Sequence, residues 1–377
     1  MSSGPSFDPG FSTEELAAVF SGEATVAAML EFEAALALAL ADAGIAPAHQ
    51  ADQVVAACVR GVPDPGAVLA STWETGTPLI ALSESIAEDI ESEDAHKWFH
   101  FGATSQDAID TGRMIQAARA LDILEISLST LAGRLRQLTV EYRDQPQMGR
   151  TFLQEARPTT FGFRTATWLD SVLGHIEDLR EQRSRVTVQL GGPVGTLSAY
   201  GDKAELIVSS IAEKLGLTEP GISWHANRTG VIRLAHSLQR AALTMGKVGS
   251  DIALLASTDV AEVRVRSGVS SSMPEKHNPL DAIRAVAAAA ACTGAVVMLG
   301  AGSGHELDRG IGGWHVEWLA LPLAFQTAGA AVEAIATCID SLEVDRERMS
   351  ANARSEAPEV PSAQVDRVLA KYDRAIA

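Results

Sequence analysis

The chain has 377 residues, 46% of them apolar and only 5% aromatic, and a formal net charge of −18. That balance speaks against a nucleic-acid-binding surface, which needs a basic face, but leaves room for a small anion held by a few local cations. Ala and Leu supply much of the apolar content and are the strongest apolar helix formers, so the composition predicts packed helices and an all-α fold.

Residues 1–110 read as an N-terminal helical domain with short helical pieces, including one over 24–43, and loops around 60–78. The opening residues are polar, not a basic segment followed by an apolar run, and the expected compartment is the cytoplasm. Proline breaks helix interiors, and it is then missing between Pro78 and Pro146, between Pro158 and Pro193, and between Pro220 and Pro274. Each gap carries a helical seam. Leu121, Leu124, Leu128, Leu131, Leu135 and Leu138 alternate steps of three and four, a heptad-like pattern. Trp168, Val172, Ile176 and Leu179 follow one face of the next helix. Val231, Leu234, Leu238, Ala241, Met245, Val248, Ile252 and Leu255 mark a third. Residues 280–300 predict a fourth, and 314–342 a fifth with a kink at Pro322. Five helices of roughly 20 to 35 residues lie far above the usual mean of about 11–12. Their apolar faces must be buried against other helices, some of them on other subunits.

These helices define a central domain over 111–342, and the charged residues 343–377 read as a short tail. The Ala-rich run at 285–298 is too short to span a bilayer, so no membrane association is expected. No strand-rich region is evident. Cys58, Cys292 and Cys338 sit in Ala/Val-rich stretches without Cys-x-x-Cys spacing and read as small buried residues in a reducing compartment. No His/Asp/Glu cluster has ligand spacing, so no metal is implied, and no other cofactor is expected.

Three polar, Gly-containing segments interrupt or flank the long helices. The first runs from His100 through Thr104, Ser105 and Gln106 to Asp107. The second is Gly149-Arg150-Thr151-Phe152-Leu153-Gln154, followed by Pro158-Thr159-Thr160. The third runs from Gly268 to Pro279. Each has a plain capping explanation. Thr104-x-x-Asp107 fits a capping box, Thr159 or Thr160 suits a cap after Pro158, and Asn278-Pro279 suits an N-cap and first turn. Capping does not exclude function, because a helix N-terminus also presents free N–H groups and a positive dipole to an anion.

The stretch Ser270-Ser271-Ser272-Met273-Pro274-Glu275-Lys276-His277-Asn278 resembles the signature loop of the fumarase/aspartase superfamily, serine-serine-x-methionine-proline-x-lysine-x-asparagine. The first two segments resemble that superfamily's other shared regions, in the same order. The resemblance implies a bundle of five long helices per subunit, a twenty-helix core in a homotetramer, and active sites that each draw three loops from three chains. Four stretches narrow it to the bacterial 3-carboxy-cis,cis-muconate cycloisomerases, the lactonizing branch. They are Phe7 to Thr13 with Met29 to Leu36, His100 to Asp107, Gly191 to Leu197, and Trp314 to Trp318. The likeness runs over about residues 7–345. Members that expel an amine or a purine typically carry histidine where Phe152 stands here. An amine leaving group benefits from a general acid, whereas a carboxylate, with a pKa near 4, needs little protonation.

The resemblance assigns Ser270, six residues before Lys276, as the group that moves the proton alpha to a carboxylate. Lys276, nearby backbone N–H groups and the helix beginning near Pro279 are candidates to stabilise its alkoxide. For a small anionic polycarboxylate substrate, Thr104, Ser105 and Gln106 are expected to serve one carboxylate, and Arg150, Thr151 and Gln154 another. Asn278 is expected to orient the loop or the substrate. His100 reads either as a carboxylate ligand or as a packing residue. His305 and Arg309 read either as substrate contacts or as an exposed loop. Val269 replaces a usual glycine, and His277 stands where arginine is common. The alternatives are a sulfomuconate cycloisomerase, a fumarate-producing lyase of the same superfamily, and a non-catalytic structural protein on the same scaffold.

Overall fold

A computed structural model describes residues 8–90, 92–266, 268, 273, 276–354 and 362–376. Seven helices precede the first long one: α1 (Glu14–Val19), α2 (Gly22–Asp42), α3 (Ala48–Arg60), α4 (Pro65–Ala70), α5 (Thr72–Thr75), α6 (Leu79–Ala87) and α7 (Glu93–His96). The long helices are α8 (Ser105–Glu141), α9 (Phe161–Arg183), α11 (Thr229–Leu255), α12 (Leu280–Gly302) and α13 (Gly313–Asp340). A shorter α10 (Ala204–Leu215) lies between α9 and α11, and α14 (Arg346–Ala353) and α15 (Ser362–Ile376) follow α13. The five long helices fall in the five proline-poor stretches. α13 continues through Pro322.

Two features depart from the sequence reading. The segment around Gly149 is a hairpin, with β1 (Pro146–Thr151) antiparallel to β2 (Gln154–Thr160) in the register Pro146 to Thr160 and Thr151 to Gln154. Its polar residues gave no alternating apolar pattern from which to infer strands. A second antiparallel pair, β3 (Val263–Arg264) with β4 (Glu343–Val344), ties the chain after α11 to the chain after α13. The stretch expected over 60–78 as loop also folds partly, into α4 and α5.

Two cores form. The Leu121–Leu135 seam of α8 packs with Trp168, Val172 and Ile176 of α9, Leu238, Met245 and Ile252 of α11, and Phe325, Val332 and Ile335 of α13. α12 contributes chiefly alanines, and this allows close approach: a Cβ on Gly249 of α11 would lie 2.7 Å from the Ala282 carbonyl oxygen. The second core joins Phe32, Leu36 and Leu40 of α2 to α3, α6 and the start of α8. Val188, Leu190, Tyr200 and Ile211 complete it. The N-terminal region therefore takes part of its interior from the middle of the chain.

By length and composition α2, α12 and α13 are each apolar enough to cross a membrane. The sequence estimate for 285–298 was too short because α12 runs for 23 residues. In the fold all three are bundle helices, although α12 leaves Leu280, Ile283 and Val297 at least half exposed.

Candidate active site

The first polar segment stands at the N-terminus of α8. The Thr104 N–H donates to Asp107 Oδ2 at 2.9 Å. Asp107 is fully buried, and three further groups fix it. The Gly192 N–H donates to it at 2.9 Å, the Gln189 amide at 3.1 Å, and His225 Nε2 lies 2.6 Å from Oδ1. Gly102 must be glycine: its φ is +73°, and a Cβ there would lie 2.7 Å from the Ala199 Cβ. This clamps the loop against residues 191–200. The Arg309 guanidinium donates to Thr104 Oγ1 at 3.0 Å, so the structure brings Arg309 to Thr104 across 205 residues of sequence.

His100 has its Nδ1 2.6 Å from Glu33 Oε1, and its backbone N–H donates to Oε2 at 3.0 Å. Burial opposes the charged imidazole, but the Glu33 carboxylate outweighs it and raises His100 above its ordinary range.

Behind this loop lies an enclosed ionic cluster. Arg228, 2% exposed in its side chain, donates to Asp110 at 2.7 and 3.1 Å and to Glu317 at 2.9 Å. The Trp314 indole donates to Asp110 at 2.9 Å. Burial pushes the Glu317 carboxyl up, against the lowering effect of Arg228. Burial likewise works against the Arg228 charge, but Asp110 and Glu317 raise it overall.

Gln106 belongs to this cluster. Its amide nitrogen donates to Asp110 at 3.0 Å and to the His225 carbonyl at 2.9 Å, and the residue is fully buried. The Gln106 amide nitrogen is thus engaged within the chain. The His305 imidazole is likewise enclosed, with Nδ1 3.3 Å from the His225 carbonyl oxygen and Nε2 3.7 Å from Glu317. Neither an exposed loop nor an open substrate contact describes it. Thr104 and Ser105 remain half-buried at the helix start.

The second and third segments lie elsewhere. Arg150 pairs with Glu262 at 2.7 Å. Glu262 is fully buried and also accepts from Gln147 at 2.9 Å and Asn352 at 3.0 Å. Thr151 and Gln154 are exposed at the hairpin tip. Between them Phe152 and Leu153 have φ of +51° and +63° and are 98% and 68% exposed. Thr160, not Thr159, caps α9, accepting from the Phe163 N–H at 3.1 Å. In the third segment the Gly268 N–H donates to the Asn278 carbonyl at 3.3 Å and closes the base of the loop. Lys276 is exposed and Asn278 half-buried. Helix α12 starts at Leu280, so Pro279 takes the cap position expected for Asn278. Ser270 lies outside the described residues.

The 37 residues of α8 span about 55 Å at 1.5 Å per residue. The first segment sits at one end of this rod, and the hairpin follows the other. α11 runs from Arg228, beside Asp110, to the Glu262 that holds Arg150. The signature segment follows at that hairpin end. α12 then returns to place Arg309 at Thr104. Within one chain the hairpin with Arg150 lies at one end of this rod, and the first segment lies at the opposite end with Arg309.

Glu33, Asp110, His225, Arg228, Glu262 and Glu317 shape these ends, and sequence reasoning assigned them no role. Glu33 meets His100 across 67 residues, and Asp110 meets Arg228 across 118, so no spacing pattern marks these pairs.

The chain is a bundle of long helices, and it belongs to the fumarase/aspartase lyases: the lyase family model matches residues 10–294. It is 39% identical over 354 residues to the 3-carboxy-cis,cis-muconate cycloisomerase of Pseudomonas aeruginosa, covering 92% of this chain and 77% of that protein. It is 36% identical to the cycloisomerase of the same name from Pseudomonas putida, over 92% of this chain and 84% of that one. The crystal structure of the 3-carboxy-cis,cis-muconate lactonizing enzyme from Pseudomonas putida matches with a TM-score of 0.87 at 33% identity, covering 98% of this chain and 87% of that chain.

Proposed function

We propose that the protein is a cycloisomerase that converts 3-carboxy-cis,cis-muconate to 4-carboxymuconolactone. The observation that carries this reading is the sustained likeness to the Pseudomonas aeruginosa cycloisomerase over 92% of the chain. Phe152 supports it. An apolar ring at the exposed hairpin tip supplies no proton to an amine leaving group, whereas a carboxylate leaving group needs none.

In the lactonizing direction a substrate carboxylate adds to a conjugated double bond and forms the new C–O bond. Ser270 delivers a proton to the carbon alpha to another carboxylate. In reverse its alkoxide removes that proton and the C–O bond breaks. Lys276 and neighbouring N–H groups stabilise the alkoxide and the enediolate-like intermediate. Thr104, Ser105 and Arg309 bind one carboxylate, and Arg150, Thr151 and Gln154 another.

Thr104 and Arg150 stand at opposite ends of a rod about 55 Å long, which supports a site built from loops of more than one chain. A homotetramer supplies them. It also covers the apolar residues exposed on α12, Leu280, Ile283 and Val297. The test is loss of muconate ultraviolet absorbance on addition of enzyme, with the lactone identified by NMR. Ser270→Ala should cost at least a hundredfold in turnover, in the range of positioned acid–base groups of about 10²–10⁴. A loss under tenfold rejects the serine assignment, and formation of fumarate in place of lactone rejects the reaction.

A further inference from the structure

A cavity of about 950 Å³ lies between the N-terminal helices and α13, beside the first turns of α8. Four aromatic residues, Phe11, Phe20, Trp73 and Trp318, contribute to its wall. Its one lining cation among the described residues is Arg113, two turns into α8 from Ser105. Arg113 makes no salt bridge among the described residues. Its partners are the Gln116 amide oxygen at 3.0 Å and the Phe20 ring, 6.0 Å from the guanidinium. Asp110 is the acid that acts on it through space, but Asp110 is already bound by Arg228, Gln106 and Trp314. Burial pulls Arg113 down to about 10, which leaves it charged at neutral pH with no carboxylate paired to it among the described residues.

An uncompensated charge is costly where it is withdrawn from water. One unpaired cation among four aromatic residues suits a ligand that is negative at one end and attached to a flat apolar body. Glu14 stands exposed at the rim and disfavours a second negative charge on the occupant.

We infer that this cavity is a binding site for a planar aromatic monocarboxylate, with its carboxylate on Arg113 and its ring between the aromatic walls. The volume lies within the range of about 300–1,000 Å³ usual for small-molecule pockets, and offset or edge-on ring contacts suit such walls. The ligand class differs from the polycarboxylate assigned to the Thr104 loop, and the site does not depend on that assignment.

The test is isothermal titration of the full chain at pH 7 with 2-naphthoate and with its neutral analogue 2-naphthamide. The acid should bind once per chain and at least tenfold more tightly than the amide. Arg113→Met should bring the acid down to the level of the amide while leaving amide binding unchanged. Glu14→Gln should tighten the acid several-fold, a gain that a misfolded variant cannot mimic. Equal affinity for acid and amide, or undiminished binding of the acid to Arg113→Met, overturns the proposal. So does a change of oligomeric state in Arg113→Met by analytical ultracentrifugation, which would assign the cavity to a second copy of the chain. Muconate turnover is not the readout, so failure here leaves the cycloisomerase reading intact.

Discussion

At the Thr104 end of the bundle, polar and ionisable side chains are enclosed and paired: Arg228, Asp110, Glu317, Asp107 and His225 are all buried. At the hairpin end the candidate groups face solvent. Thr151, Gln154 and Lys276 are exposed, and Phe152 stands free on a two-residue turn. The first arrangement is fixed by its own chain. The second faces outward, with Arg150 anchored at its root by Glu262. One end is enclosed by internal pairing, and the other leaves polar groups and an aromatic ring exposed.

The largest effect that would break this contrast lies at Arg228. Arg228→Met leaves two enclosed carboxylates without their cation and should cost about 3–5 kcal/mol in urea unfolding. Gln154→Ala at the other end should stay within about 0.5 kcal/mol while reducing muconate turnover. Comparable stability losses for the two variants would dissolve the distinction. Next comes Asp107→Asn, which weakens the bonds that hold the Thr104 loop. A loss of about 2–3 kcal/mol is expected, with turnover falling on the order of a hundredfold, since a displacement of about 1 Å at a reacting site is worth that much.

The third effect is pH-dependent. His100 is raised by Glu33, so the pair's contribution is complete below the ordinary histidine value of 6.5 and is lost as pH rises through the higher folded-state value. The stability difference between wild type and His100→Gln should be on the order of 1 kcal/mol at pH 5.5 and shrink toward pH 8.5. A difference that grows with pH would contradict the raised value. The smallest effect sharpens the comparison from the exposed side. Leu153→Gly relieves a left-handed residue and should stabilise the chain by about 0.5–1 kcal/mol. Phe152→Gly should do the same while reducing turnover, because the ring is placed for contact and not for the hairpin.

The long helices were legible because their seams repeat locally, as from Leu121 to Leu138, and the family because the segment around Ser270 is contiguous. The hairpin was not legible, because Gly149-Arg150-Thr151 and Gln154-Glu155-Ala156 lack alternating apolar residues. The partners of Gln106 were hidden for a related reason. Its neighbours Thr104 and Ser105 pointed toward a ligand, but its amide faces Asp110 and a carbonyl from residue 225. Spacing along the chain cannot show a partner 119 residues away.

Asp110 meets Arg228 and Trp314, which follow it by 118 and 204 residues. During synthesis, domains form from the N-terminal side as the chain emerges at about 5–20 residues per second. The second core can begin to close once α2, α6 and the residues near Tyr200 have left the ribosome, but the carboxylate of Asp110 then waits for its cation, and for the indole longer still. Contacts of such sequence separation form late and slowly. The Thr104 end, whose charges are enclosed in the finished molecule, is therefore among the last to be assembled, and the emerging chain passes through a stage in which that end is open to water.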